Sequence, residues 1–129
     1  MSQKATLQTP RARVNHLGSA RSGTHHAWLM RLTSFALLPL TIAFILIVLS
    51  LPGRDYMSAR VLLGSPCPAI LMLLFVGVGI YHMTLGMQVI IEDYIHAEHP
   101  KHLALMANIC FGLVVGAALI YAVLRLSFT

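Results

Sequence analysis

The run VLLGSPCPAILMLLFVGVGIYHMTLGMQVII, residues 61–91, contains no charged side chain, and its length decides the fold class. About 20 apolar residues suffice to cross a hydrocarbon core roughly 30 Å thick. Inside lipid the backbone polar groups must be satisfied within the segment, so such a run is a helix. Two further charge-free runs, residues 32–53 and 102–124, stand on either side. Only 10% of the 129 residues are charged and 57% are hydrophobic, with a mean hydropathy of +0.78. A soluble domain would carry roughly 25% charged residues. The expectation is an all-α membrane protein with three transmembrane helices, over about residues 28–51, 67–94 and 101–127.

The breaks between the runs follow from local chemistry. Gly23 and Thr24 precede the first span, and the Thr24 hydroxyl offers an N-cap. Pro39 lies inside that span, where membrane helices tolerate it if neighbours satisfy the freed carbonyl. LPGRDYMS, residues 51–58, reads as a turn, and Pro66 or Pro68 opens the second helix. HAEHPKH, residues 96–102, reads as the next turn, broken at Pro100. The chain divides into a polar, basic segment over residues 1–27 and a three-helix transmembrane domain over 28–129. GLVVG, residues 112–116, has the G-x-x-x-G spacing that lets two helix backbones touch. Three such helices bury little by themselves, which suggests a partner subunit.

Charge sets the orientation. Five Lys and Arg residues precede or open the first span, two follow it at Arg54 and Arg60, and Lys101 and Arg125 complete the nine. The positive-inside rule then puts the N-terminus in the cytoplasm and the C-terminus on the opposite side. No acid appears before Asp55, and no apolar core follows the first basic residues as in a secretory signal. The same composition resembles an organellar transit peptide, which keeps a mitochondrial inner membrane as the alternative to a bacterial plasma membrane. The basic residues are dispersed without interleaved aromatics, so nucleic-acid binding is not expected. Cys67 and Cys110 form no C-x-x-C pattern and read as small apolar residues.

The chemistry concentrates on the second helix. At about 3.6 residues per turn, Gly79, His82, Gly86, Val89 and Asp93 share one stripe. Glycines above and below an imidazole open a slot for something flat and wide, and imidazole is a standard axial ligand for haem iron. The plainer alternative is a histidine hydrogen-bonded to a neighbouring helix, with the glycines serving close packing. Ionisable residues within a span are functional by default. Only one histidine lies deep in any span, so a six-coordinate haem would need its second ligand from another chain. Tyr94 lies roughly 18 Å further along the helix, which puts Asp93 and Tyr94 near the cytoplasmic boundary. A phenol there can donate to a carbonyl of a lipophilic ligand, and a carboxylate can relay protons. The plainer alternatives are an aromatic-belt anchor and a solvated helix end.

SGTHHAWLMRLT, residues 22–33, brings His25, His26 and Arg31 to the same side of the membrane. Arginine pairs well with carboxylates such as haem propionates, although it would serve equally as a positive-inside anchor. His96, His99 and His102 follow an i, i+3, i+6 spacing, but Pro100 interrupts it, and they read as a titratable surface loop.

Together, RSGTHHAWLMRLT and the H-x-x-x-G-M-Q-V-I-I-E-D-Y-I-H segment resemble the hydrophobic membrane anchor subunit of bacterial succinate dehydrogenase, the cytochrome b small subunit of respiratory complex II. The resemblance covers about residues 16–126. It implies that His82 is the axial haem b ligand, opposed by a histidine of the companion anchor subunit. It implies that Tyr94 hydrogen-bonds the ubiquinone carbonyl, with Asp93 lining that site. Arg31 and His25 match basic residues near the haem propionates and the quinone. Some relatives carry an acid where this chain has His26, and no role transfers to it. By the same resemblance, FAD and iron–sulfur clusters reside in the flavoprotein and iron–sulfur partner subunits. Succinate chemistry occurs there, and this chain contributes to the membrane-bound quinone site. The competing expectation is a haem-free membrane scaffold or assembly protein in which His82 is packing glue. A small transporter would want more buried ionisable groups or a repeat with broken helices.

Overall fold

The computed structural model describes residues 22–128, which form four helices in chain order: α1 (Ser22–Leu49), α2 (Tyr56–Gly64), α3 (Pro66–Tyr94) and α4 (Glu98–Phe128). Lys4, Arg11, Arg13 and Arg21 of the basic segment lie outside the described residues. Three of the four helices, α1, α3 and α4, are long and apolar enough to cross a membrane. The three-span, all-α expectation therefore holds.

Helix α3 is central, with α1 packed along one side and α4 along the other. Contacts between α1 and α3 fix an antiparallel register. A Cβ on Gly86 would meet Met30 at 3.7 Å, and one on Gly79 would meet Leu37 at 3.9 Å. Further along, Phe44 stacks on Phe75 with ring centroids 4.6 Å apart, a face-to-face contact that adds specificity to an otherwise greasy seam. Between α3 and α4 the two glycines of GLVVG do the close packing. A Cβ on Gly112 would lie 2.8 Å from the Thr84 hydroxyl, and one on Gly116 would lie 3.2 Å from Ile80. The G-x-x-x-G partner is thus α3 of the same chain. Beside it the buried Asn108 donates from Nδ2 to the Thr84 carbonyl at 2.9 Å. An interhelical hydrogen bond of this kind pins register where apolar packing alone is permissive.

Several boundaries differ from the sequence expectation. Helix α1 already includes Ser22, so Thr24 lies within its first turn and does not cap it. Pro100 does not break the turn: α4 starts at Glu98, and proline is tolerated in a first turn because its missing N–H would be unpaired there anyway. Residues 56–64 are helical, although 51–58 read as a turn and no helix was expected before Pro66. Gly53, at φ 83°, makes the left-handed turn that lets the chain leave α1. Asp55 follows as the N-cap residue of α2 and accepts a hydrogen bond from the Ser58 hydroxyl. That bond holds the exposed Asp55 carboxyl below its ordinary value. Pro66 opens α3 at its first turn, in the expected place.

Candidate functional site

His82 sits on α3 facing α1, half-buried. Its Nδ1 lies 2.8 Å from the Oγ1 of Thr33, one of the few buried polar residues of the bundle. Thr33 in turn donates back along its own helix, with the Leu29 carbonyl at 2.8 Å and the Met30 carbonyl at 3.1 Å. Among the described residues no hydrogen bond engages His82 Nε2. The slot expected between Gly79 and Gly86 is covered by Leu37 and Met30 of α1, because the same glycines let that helix approach.

The open space beside His82 lies instead on the outer face of the α1–α3 seam. A groove of about 630 Å³ is lined by Met30, Arg31, Ser34, Phe35, Leu38 and His82. The imidazole and the nearest cation of α1 therefore border one cleft. Its apolar wall is not covered by the chain itself, since Phe35 is 80% exposed and Leu38 64%. Among the described residues no three His, Cys, Asp or Glu gather into a metal-binding cluster.

Asp93 and Tyr94 close α3, and both are exposed, Tyr94 by 80%. Extending the α1–α3 register toward this end sets the first turn of α1 level with the last turn of α3. His25, itself exposed, thus shares one end of the bundle with Asp93 and Tyr94, although no hydrogen bond joins them among the described residues. Neighbouring Glu92 is engaged: its carboxylate accepts from Gln88 Nε2 at 2.8 Å and its carbonyl from Lys101 Nζ at 3.2 Å. His26 is half-buried with its Nε2 enclosed and without a hydrogen-bond partner. His96, His99 and His102 are all exposed, the last two on α4.

Two residues of this region carry no sequence signature. Thr33 and Asn108 sit in apolar runs where a single hydroxyl or amide is unremarked, and the partner of Thr33 is 49 positions away. The only available signal was polarity inside a span, which points to a helix–helix contact without naming it.

Three packed spans with an intramembrane imidazole, beside an uncovered cleft bordered by a cation, define a multi-pass helical membrane protein. Known proteins agree. A model of the succinate dehydrogenase/fumarate reductase transmembrane subunit family matches residues 5–123. The succinate dehydrogenase hydrophobic membrane anchor subunit of Paracoccus denitrificans is 36% identical over 118 residues, covering 92% of this chain and 91% of that protein. Its counterpart in Rickettsia bellii is 32% identical over 111 residues, covering 86% and 89%. No solved structure shows significant similarity. The chain belongs to the succinate dehydrogenase/fumarate reductase transmembrane subunit family and is a multi-pass inner-membrane protein.

Proposed function

We propose that the chain is the small membrane anchor of a succinate:ubiquinone oxidoreductase, supplying one axial ligand to a haem b and part of the wall of a quinone-reduction site. The observation that carries this reading is the shared groove: His82 and Arg31 border one cleft, and among the described residues no hydrogen bond engages the His82 nitrogen not bonded to Thr33. The donor set fits the group. A neutral imidazole with an unengaged nitrogen is a normal iron ligand, and a guanidinium beside it suits propionate carboxylates. When bound, the haem supplies a one-electron redox centre within the span. The second imidazole would come from the companion anchor subunit, which the uncovered Phe35–Leu38 wall leaves room to dock.

The quinone role rests on the exposed end of α3. Tyr94 would donate its phenolic O–H to a quinone carbonyl, and Asp93 would hold or relay a proton at the membrane boundary. Their position roughly 18 Å from His82 along the helix suits a polar head group near the interface. His25, at the same end of the bundle, would add a second titratable group. Succinate itself would be oxidised on the FAD of a soluble flavoprotein, with electrons passing through a partner's iron–sulfur clusters.

The test is co-expression with the companion subunits, followed by a reduced-minus-oxidised spectrum of the purified complex. A low-spin haem b signal that disappears in His82→Ala is expected. A complex that assembles without any haem absorbance favours the scaffold alternative, and an unchanged signal in His82→Ala removes the ligand assignment.

A further inference from the structure

We infer that Thr33 is the positioning residue for His82, holding the imidazole in the tautomer that leaves Nε2 bare for iron; this rests on the haem-ligand reading above. The inference follows from counting protons. A threonine hydroxyl has one hydrogen to give, and a carbonyl can only accept. Thr33 Oγ1 lies 2.8 Å from the Leu29 carbonyl and also 2.8 Å from His82 Nδ1. Were the hydroxyl hydrogen aimed at Nδ1, two oxygens without a proton between them would face each other at hydrogen-bonding distance. The arrangement that satisfies both contacts has Thr33 donating to Leu29 and accepting from a protonated Nδ1. Neutral imidazole carries one ring proton, so Nε2 then bears the lone pair.

The device is built rather than incidental. Thr33 is only 8% exposed, so water does not compete for its hydroxyl. Its bond to the carbonyl one turn back fixes the side-chain rotamer, as threonines in helices commonly do. A bond donated from Nδ1–H also orients the ring and raises the basicity of the opposite nitrogen, the role such partners play toward metal-bound histidines. Serine would supply the same hydroxyl; valine would keep the shape and lose the acceptor.

The experiment uses the assembled complex with Thr33→Val, Thr33→Ser and His82→Ala. Thr33→Val is expected to bind haem about 10–100-fold more weakly in a competition with apomyoglobin. Its remaining haem should titrate at a higher midpoint potential, because the ligand donates less electron density. Thr33→Ser should restore both values, which a purely steric role for the threonine would not require. Thr33→Ala is read in the same way if the valine variant does not assemble. Wild-type haem affinity and potential in the hydroxyl-free variant, beside a haem-free His82→Ala complex, would overturn the role of Thr33 alone. Retention of the haem signal in His82→Ala would overturn the ligand reading and this inference with it.

Discussion

His82, Thr33 and Tyr94 illustrate how single side chains acquire meaning from depth. An imidazole within a span has no water to satisfy it, so each ring nitrogen needs a protein or ligand partner. Thr33 takes one nitrogen, and the residue as a whole borders the groove. Tyr94, in contrast, is largely exposed at a helix end, where its hydroxyl is available to an incoming ligand. On the proposed function, Tyr94→Phe lowers quinone reduction by about tenfold, the upper range for one lost hydrogen bond. Succinate oxidation with a soluble dye should be unaffected; equal rates with quinone would remove Tyr94 from the site. The candidates His82, Arg31, Asp93, Tyr94 and His25 were all legible as residue types at suggestive spacings. Thr33 was not, because a threonine in an apolar run is ordinary until the opposing helix is in place.

Helix packing turns on where small residues are spent. Gly112 faces the Thr84 hydroxyl, itself bonded to the Ile80 carbonyl, so closely that an added methyl group would force that side chain or one of the two helices to shift. Gly77, two turns before Thr84 on α3, has nothing within 4 Å of where its Cβ would be. Gly112→Ala should therefore destabilise the α3–α4 pair by about 1–3 kcal/mol, the usual cost of overpacking. Gly77→Ala should be nearly neutral, and thermal unfolding of the purified complex measures the difference. Equal losses in both variants would contradict the packing. Helix α2 makes the complementary point. Nine residues are too few to hold an isolated helix in water. Its stability comes from lying against α4, where Gly64 lets the backbone reach the Leu126 carbonyl. A hydropathy pattern carries no trace of that contact, so the start of the segment read as part of the 51–58 turn and the rest was given no helix of its own.

At the scale of the whole molecule, large apolar side chains cover the outside, Phe35, Leu113, Val114 and Phe128 among them. Lipid and partner subunits are the only environments in which such a surface is stable. By the positive-inside rule, the excess of Lys and Arg on the N-terminal side predicts that end in the cytoplasm. In a chain carrying Cys67→Ala and Cys110→Ala, Met57→Cys should react with a membrane-impermeant thiol reagent in spheroplasts. His99→Cys should react only after lysis, and the opposite pattern would invert the topology. Membrane class and number of spans were determined by the sequence alone, because transfer into lipid depends on the length and charge of each run. Which helix meets the glycines, which hydroxyl meets His82, and that Arg31 borders the same cleft were decided only by the tertiary structure. Those contacts join residues far apart in the chain, and they depend on the register in which α1 and α4 pack against α3.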